Sequence, residues 1–371
     1  MIRTLALDDI TLQVRESVSR RLADGLAATS SAPSEHAAAW AALAELGALG
    51  VLLPESEGGL GGGISSAVAV LEPLGRHSVL VPFLDGLCVP AAIAGRVTNT
   101  AGLGDRLANA INGGAPVVLA WAEPGAGWMR VPLLTRAESV AGGWVLSGFK
   151  AAVRWAGEAS AIVVSAAVDD GVGLFLVPVG AQGMSILSYA TADGGRAADL
   201  RFEGLQLPKD ARLDDGNGAE ALGFALDAGA ALSLAEAVGA MDACLDMTIS
   251  YLGAREQFGA PLSRLQALQH RLVDAYALCE TAWSMAHDAA SALAEGVPAA
   301  ERAMRISVAK AHAGPAGRRV GQEMLQLHGA IGMTMDYPLG RRLARLTLLD
   351  LGFGDSDWHL ARVVRLLGEA E

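Results

Sequence analysis

The sequence predicts an α+β protein that is mostly helical, with an N-terminal helical domain, a middle antiparallel β-sandwich or barrel, and a C-terminal four-helix bundle. Apolar residues recur at helical spacing before about residue 115 and again after about residue 216. The segment between them instead contains short runs of β-branched and aromatic residues, with no helical pattern separating the runs. We therefore expect domains at residues 1–115, 116–215 and 216–371.

The N-terminal domain is predicted to contain helices joined by a glycine-rich loop. Trp40, Leu43 and Leu46 share one helical face, and a second helical pattern covers residues 64–74. The glycines between the two patterns follow no strand and precede no Gly-Lys-Ser/Thr sequence, so they match neither common phosphate-binding loop. The expected role of this loop is a tight crossing between helices.

Five apolar runs predict the strands of the middle domain, and turn sequences such as Gly142-Gly143 separate several of them. Closely spaced strands without intervening helices favour antiparallel pairing and argue against a Rossmann fold. The runs cover residues 117–121, 144–147, 161–165, 174–178 and 200–202.

The C-terminal domain is predicted to consist of antiparallel helices joined by short loops. Pro315 lies inside the third of them and is expected to kink it near Ala311. The first helix presents Val238, Met241, Leu245 and Ile249 on one face, the second presents Leu265, Leu268, Leu272, Cys279 and Trp283, and later helices cover residues 299–327, 339–349 and 356–367.

The connection between the first two of these helices gathers residues that suit an anionic ligand. It reads Arg255-Glu256-Gln257-Phe258-Gly259, and Ser263 with Gln266 has the pattern of a capping box that opens the next helix. A guanidinium forks onto phosphate oxygens, while Phe258 offers a flat aromatic face. The alternative is a helical hairpin with a solvated Arg and a core Phe.

Composition excludes several classes of function. The 371 residues are 52% hydrophobic and 18% charged, which is ample for well-buried cores. A net charge of −12 argues against nucleic acid or an anionic membrane surface as the main partner. The first ten residues lack the pattern of a secretory signal, and charged residues or Pro interrupt the apolar runs, so we expect a cytoplasmic protein.

The cysteine and histidine residues give no support for a metal centre. Cys88, Cys244 and Cys279 lie singly inside apolar helical patterns, an odd number without metal-ligand spacing. The seven His residues are scattered and form no cluster with Cys or Glu. We expect buried free thiols and no bound metal.

Four motifs, in this order, resemble the acyl-CoA dehydrogenase family across essentially the whole chain. Leu53-Pro54-Glu55-x-x-Gly58-Gly59 resembles the family's Pro-Glu-x-x-Gly-Gly loop, and Ala-Glu-Pro-Gly-Ala-Gly at residues 122–127 resembles its flavin segment. Two more resemble its dinucleotide-binding motifs: Arg255-x-Gln257-Phe258-Gly259 with Gln266, and Gln326-x-x-Gly329-Ala330-x-Gly332. The pattern Phe-Gly-Asp-x-Asp-x-His-Leu near the C-terminus is most similar to smaller subunits of bacterial heteromeric members.

The resemblance implies a flavoprotein in which FAD takes a hydride from the β-carbon of an acyl-CoA thioester while a carboxylate removes the α-proton. It further implies a dimer of dimers, homomeric or heteromeric, whose FAD sites are shared across a subunit interface. By resemblance, the diphosphate region of FAD is bound by Arg255, Gln257 and Phe258 with Gln266, and its other end by Gln326 and the backbone of Gly329 and Ala330.

The sequence departs from the family where the resemblance places the flavin ring. The family has Trp against the ring and Thr near its N5 atom, and this chain has Ala152 and Arg154 at those positions. Ala122 replaces a Thr at the start of the flavin segment, and Trp128 replaces a small Ser. Trp155 is expected to pack in the core. The ring would therefore lose its usual partners in this chain.

The catalytic base is also missing from both positions that the family uses, because Gly354 stands at one and Gly229 at the other. Asp355 is the nearest carboxylate and the candidate base, but Asp355 also has the pattern of an N-cap for the last helix. Glu236 is expected to form a core salt bridge, and His328 to be a spacer in its motif. Loss of a general base removes roughly 10²- to 10⁴-fold of rate.

Three functions remain open, of which a helical scaffold without a nucleotide role would require all four motif matches to be accidental. The other two use the resemblance. The first is a flavin-dependent dehydrogenase of an acyl-CoA. The second is a catalytically silent subunit that completes the FAD site of a partner chain carrying the base.

Overall fold

The computed structural model describes residues 9–24, 33–294, 296–334 and 337–368, and helices form its two outer parts. Trp40 and Leu43 are buried in the second helix, whereas Leu46, predicted to share their face, lies one residue past the end of that helix and is 40% exposed. The N-terminal part contains α1 (Asp9–Ala23), α2 (Pro33–Glu45), α3 (Gly63–His77), a π-helix (Leu84–Cys88) that continues into α4 (Val89–Ala94), and α5 (Ala101–Ile111).

The helix α3 packs against the first C-terminal helix, α6 (Gly218–Ala254), at a very close crossing. A Cβ atom at Gly75 would lie 1.9 Å from the Glu236 carbonyl oxygen, and one at Gly239 would lie 2.0 Å from that of Glu72. Only residues without a side chain permit this approach. The crossing holds the middle of α6, which carries Gly229 and Glu236, at the centre of the molecule.

The middle part is one curled sheet in the order β1-β4-β2-β3-β7-β6, with β5 paired to β4. Four of the strand pairs run antiparallel as predicted, but β1 lies parallel to β4 over four residues, and β2 pairs with β4 in parallel at one position. Both β1 and β4 are buried on both faces, which is typical of parallel pairing. The strands are β1 (Val117–Ala120), β2 (Arg136–Val140), β3 (Gly143–Arg154), β4 (Ala161–Val168), β5 (Gly171–Pro178), β6 (Met184–Ala190) and β7 (Arg196–Pro208).

The C-terminal part is the predicted helical bundle, in which α6, α7 and α8 pack on one another, α9 packs on α6 and α8, and α10 packs on α8. Residue 315 is a proline inside α8, which continues past it as one helix. The further helices are α7 (Gln266–Ser291), α8 (Ala299–His328), α9 (Leu339–Leu351) and α10 (Ser356–Gly368), and the pair β8 (Glu256–Gln257) and β9 (Ala260–Pro261) joins α6 to α7.

The capping-box prediction at the start of α7 is wrong. Residues 262–264 form a 3₁₀ turn, in which the Leu265 amide donates a hydrogen bond to the Leu262 carbonyl, and α7 begins only after Leu265. Leu265 is therefore the N-cap, without a side-chain capping bond. Ser263 therefore lies two residues before the N-cap, and its carbonyl accepts a hydrogen bond from Gln269 Nε2 at 2.8 Å.

The interior divides into a helical core and a sheet core. The three cysteines are free and buried in the helical core, which confirms that prediction. The helix α6 is long and apolar enough to cross a membrane by length and composition, with a mean hydropathy of 1.5 over its most apolar window. Because 89% of that window is buried inside the protein, α6 has the burial of a core helix.

Candidate functional site

A cavity of about 310 Å³ lies between the sheet, the π-helix and the C-terminal end of α9. It brings together the four positions at which the sequence departs from the family around the flavin ring, together with the loop before α10. Those wall residues are Ala122, Trp128, Ala152, Arg154 and the loop residues Gly352 and Phe353. The residues at which the sequence departs from the family around the flavin ring therefore all line one cavity.

Aromatic side chains fill the space next to both glycines at which the family carries its base, Phe353 beside Gly229 and Trp358 beside Gly354. A Cβ atom at Gly229 would lie 2.5 Å from Cε1 of the Phe353 ring, closer than atoms pack in proteins. A Cβ atom at Gly354 would lie 2.7 Å from Cε3 of Trp358, and Gly354 has a φ of 107° that side chains rarely adopt. Neither position accommodates a carboxylate in this arrangement.

Asp355, the candidate base, is fully engaged as a structural residue. Its Oδ1 accepts a hydrogen bond from the Trp358 amide at 2.7 Å, which is the geometry of an N-cap on α10. Its Oδ2 accepts a hydrogen bond from Trp128 Nε1 at 2.9 Å. The capping alternative is thus the one that the structure supports, and the same carboxylate fixes Trp128 in the cavity wall.

Arg154, in the cavity wall, forms ion pairs with two carboxylates, those of Asp193 and Asp85. Its Nη2 lies 3.2 Å from Asp193 Oδ2 and its Nε lies 3.4 Å from Asp85 Oδ2. Burial raises the pKa of the Asp85 carboxyl, and the charge of Arg154 only partly offsets this effect. Among the described residues that line the cavity, Asp85 is the one that carries a carboxylate.

A buried ion pair continues from Asp193 into the core, as expected for Glu236. Arg345 donates to both Glu236 oxygens at 2.6 and 2.7 Å, and to Asp193 Oδ2 at 2.9 Å. Burial by itself raises the pKa of the Asp193 carboxyl, yet the guanidinium groups of Arg154 and Arg345 lower it well below its usual range. Glu236 is therefore committed to Arg345 rather than available to a substrate.

The segment that resembles the flavin segment is held by a buried pair that the sequence analysis missed. Glu123 accepts hydrogen bonds from Lys150 Nζ at 2.8 Å and from the amides of Leu133, Leu134 and Thr135. Burial raises the pKa of the Glu123 carboxyl, but the bond and charge of Lys150 outweigh it and lower the pKa to about 2. The available signal was that Lys150 is one of only three lysines in the sequence and lies three residues after the strand predicted at residues 144–147.

A second missed residue, Lys310, holds the loop that precedes α10. Its buried Nζ donates to the carbonyl oxygens of Leu349, Asp350 and Gly352 at 2.7, 3.1 and 2.9 Å. These carbonyls end α9 and would otherwise lack partners. Burial lowers the pKa of Lys310 to about 8, against the opposing charges of Asp350 and Asp355. The loop that carries Phe353 and Gly354 is thereby fixed from beneath.

The residues predicted to bind the dinucleotide lie together elsewhere, and none of them lines the cavity. Arg255, Gln257 and Gln266 are exposed at the connection between α6 and α7, and Phe258 is 92% exposed with a φ of 55°. Gln326, Gly329 and Ala330 are exposed at the end of α8. His328 is buried between these groups and stacks on Tyr251 with ring centroids 4.6 Å apart, which joins the two motifs.

The described residues fit the two ends of FAD differently. At the motif end, Arg255 has no ion pair or side-chain hydrogen bond with any residue in the described ranges, so its fork remains available to a diphosphate. At the cavity, Ala122 and Ala152 offer no hydroxyl or ring, and the Ala152 amide already donates to Asp199 Oδ1 at 3.0 Å. The exposed motif residues suit the nucleotide part of FAD, whereas the cavity residues do not suit its flavin ring.

No group of three or more His, Cys, Asp or Glu side chains suited to a metal ion occurs among the described residues.

Comparison with known proteins supports one family over nearly the whole chain. The profile described as "Acyl-CoA dehydrogenase, N-terminal domain" matches residues 7–96, and "Acyl-CoA dehydrogenase, C-terminal domain" matches residues 216–368. Mitochondrial isovaleryl-CoA dehydrogenase of Arabidopsis thaliana is 31% identical over 95% of this chain and 90% of its own. Acyl-CoA dehydrogenase FadE27 of Mycobacterium tuberculosis is 28% identical over 89% and 88%.

Solved structures agree with this result. A variant of the Tcur3481–Tcur3483 steroid ACAD superposes with a TM-score of 0.88 and 31% identity, covering 98% of both chains. The ChsE4–ChsE5 complex of Mycobacterium tuberculosis superposes with a TM-score of 0.88 and 25% identity, again over 98% of both chains. Solved relatives of this fold include FAD complexes. The chain described here belongs to the acyl-CoA dehydrogenase family.

Proposed function

We propose that this chain is the non-catalytic subunit of a heteromeric acyl-CoA dehydrogenase, and that it completes the FAD site of a partner subunit. The observation that carries the proposal is the filled base site, in which Phe353 packs against Gly229 and Asp355 is bonded through both oxygens. A subunit without a base cannot remove the α-proton of an acyl-CoA at a useful rate. The carboxylate would come from the partner.

The exposed dinucleotide motifs support the contribution of this chain to the partner. In the family, FAD accepts the hydride when bound, and this chain's part would be to hold the diphosphate with Arg255 and the other end with Gln326. An exposed Phe258 beside an Arg without an internal partner suits a surface that a second chain covers. Two of the similar structures bear names of two-component proteins, which supports a heteromeric assembly. The dimer of dimers and its place in the cytoplasm are part of the proposal.

A second candidate function is a self-sufficient dehydrogenase, and one observation favours it. The cavity persists in this chain, and the Asp85 carboxyl in its wall has a raised pKa, as a general base requires. In that case Asp85→Asn would abolish acyl-CoA-dependent flavin bleaching by the chain alone. Under the first proposal, the chain alone shows no acyl-CoA-dependent bleaching even without this substitution.

The test of the first proposal is flavin retention by the complex isolated from its native cells through a tag on this chain. Arg255→Ala removes a charge-assisted fork on the diphosphate, so we expect about ten-fold weaker flavin binding or more. Arg201→Ala is the matched control, because Arg201 is exposed on the sheet and pairs only at the surface with Glu203. Equal flavin content in the Arg255→Ala complex and the control would contradict the proposal.

A further inference from the structure

A second, smaller cavity, here called the α2 pocket, lies between α2 and the turn that follows β3. It encloses about 180 Å³, and carbon atoms form most of its wall. The indole rings of Trp40 and Trp155 line it, together with Ala37, Pro82 and Pro116. Among the described residues, none of those proposed to hold FAD lines this pocket.

The α2 pocket lies behind the wall of the larger cavity. Pro82 lines the pocket, whereas Leu84, two residues later, lines the larger cavity. At the end of β3, Trp155 lines the pocket and its neighbour Arg154 lines the larger cavity. Successive side chains of an extended strand point to opposite sides, so the end of β3 separates the two spaces.

Hydrogen bonds and ring contacts hold the walls of the α2 pocket in place. Trp40 Nε1 donates a hydrogen bond to the Gly114 carbonyl at 2.9 Å. Trp155 has a left-handed backbone conformation with a φ of 60°, and its amide donates to the Arg196 carbonyl at 3.1 Å. The ring of His36 meets the ring of Trp155 edge to face, with centroids 5.2 Å apart. The space beside the two indole rings is therefore preformed.

The walls of the α2 pocket carry no net charge. Burial lowers the pKa of His36, so its imidazole is neutral at pH 7, and both of its nitrogens are inaccessible to solvent. Glu158 and Arg196 line the pocket as a partly exposed ion pair, with Oε1 and Nε 2.6 Å apart, and neutralise each other. A charged ligand would lose hydration here without gaining an unpaired counter-charge among the described lining residues.

We propose that the α2 pocket binds a small uncharged aromatic molecule of one ring. An apolar cavity of about 150 Å³ holds benzene, so this pocket has room for one ring and a short substituent. Indole rings favour an aromatic ligand, because edge-to-face and offset contacts between rings add to the burial of apolar surface. A hydroxyl substituent would have the pair of Glu158 and Arg196 as its polar neighbour. The site stands whether or not this chain catalyses a reaction or binds FAD.

Titration of the purified full chain with phenol, followed by NMR signals of the ligand, tests the proposal. Ala37→Leu places a larger side chain at the pocket wall, so we expect about ten-fold weaker phenol binding or more. Ala38→Leu is the matched control, because it makes the same change on the same helix at an exposed position that does not line the pocket. It should bind phenol like the wild type, and both variants should keep the wild-type circular dichroism spectrum.

Three further compounds test the chemical class of the ligand. Benzoate and benzylammonium keep the ring and add a charge of either sign, and cyclohexanol keeps the size and the hydroxyl group without the aromatic ring. Weaker binding of all three than of phenol supports the proposal. Absence of phenol binding, equal phenol affinity in Ala37→Leu and the wild type, or binding of any of the three as tight as that of phenol would overturn it. Because no flavin, acyl-CoA or partner is added, this result is separate from the test of subunit function.

Discussion

Phe353 lines the cavity and occupies the space beside α6 where the family carries one of its bases. It adopts a left-handed backbone conformation with a φ of 60°, and its ring contacts the bare backbone of α6 at Gly229. A side chain at Gly229 and the ring of Phe353 cannot occupy this space together. The absence of a base and the position of the ring are therefore one structural feature.

This contact predicts opposite effects for two glycine substitutions in the same helix. Gly229→Ala should destabilise the protein by about 1–3 kcal/mol, because the new methyl group overpacks against the Phe353 ring. Gly223→Ala is the control, since a Cβ atom there meets nothing within 4 Å, and it should stabilise α6 by up to about 1 kcal/mol. Urea unfolding measures both values.

The double variant Gly229→Ala with Phe353→Ala separates this cause from others. Removal of the ring should recover much of the loss caused by the methyl group, so the two changes are not additive. A Gly229→Ala protein as stable as Gly223→Ala would show that the ring yields freely and does not block the position.

At the residue scale, the sequence predicts what lies close along the chain and misses what lies far apart. The missing carboxylates at Gly229 and Gly354 and the capping role of Asp355 depend on local patterns, and the structure agrees with them. The bond between Lys150 and Glu123 spans 27 positions, and that between Arg345 and Glu236 spans 109. No spacing rule connects such partners, so only the folded chain reveals them.

At the scale of elements, α10 is attached to the bundle through buried polar groups. His359 is fully buried and its Nδ1 lies 3.1 Å from Ser307 Oγ on α8. Arg362, one turn further on, bonds to Asp227 on α6. The opposite face of α10 exposes Leu360, Val364 and Leu367, at 56%, 63% and 57%. A partner subunit would cover this stripe under the proposed function.

The burial of His359 predicts a loss of stability in acid. Burial lowers the pKa of His359 to about 3, with further lowering by Lys310 and Arg130, from a usual value of 6.5. Between these values the unfolded chain binds a proton that the folded chain does not, so the free energy of unfolding falls as the pH falls from 6.5 towards 3.

Urea unfolding at a series of pH values in this range tests the prediction. The slope attributable to one such group is at most about 1.4 kcal/mol per pH unit, and it should be smaller in His359→Gln. His287→Gln, at an exposed position of α7, is the control and should keep the wild-type slope. An unchanged slope in His359→Gln would mean that α10 opens before this ring is protonated.

The elements that the sequence predicts correctly are those with a strong apolar pattern. Buried apolar faces occur on the helices α3, α6, α8 and α9 and on the strands β1, β4 and β5. The strands β2 and β6 were not predicted, because their residues are mostly exposed and their pairing with neighbouring strands defines them. Pairing direction is likewise a property of the folded sheet, as β1 demonstrates.

At the scale of the whole molecule, the predicted cofactor residues form two groups that one chain does not bring to a common site. Those around the cavity have lost the side chains expected beside a flavin ring, and those at the connection of α6 and α7 are exposed, with Arg255 in no ion pair to any described residue. The family and its three-part architecture could be predicted from the ordered motifs. The separation of the two groups is a three-dimensional property, and it adds support to the partner proposed from the filled base site.

The visible absorption spectrum of the chain purified alone and incubated with FAD tests this account most directly. The account predicts a colourless protein that retains no flavin after gel filtration, and a yellow complex once the native partner is present. Anaerobic addition of acyl-CoAs should bleach the complex only. A yellow protein without its partner that bleaches with an acyl-CoA would contradict the account and identify a self-sufficient dehydrogenase.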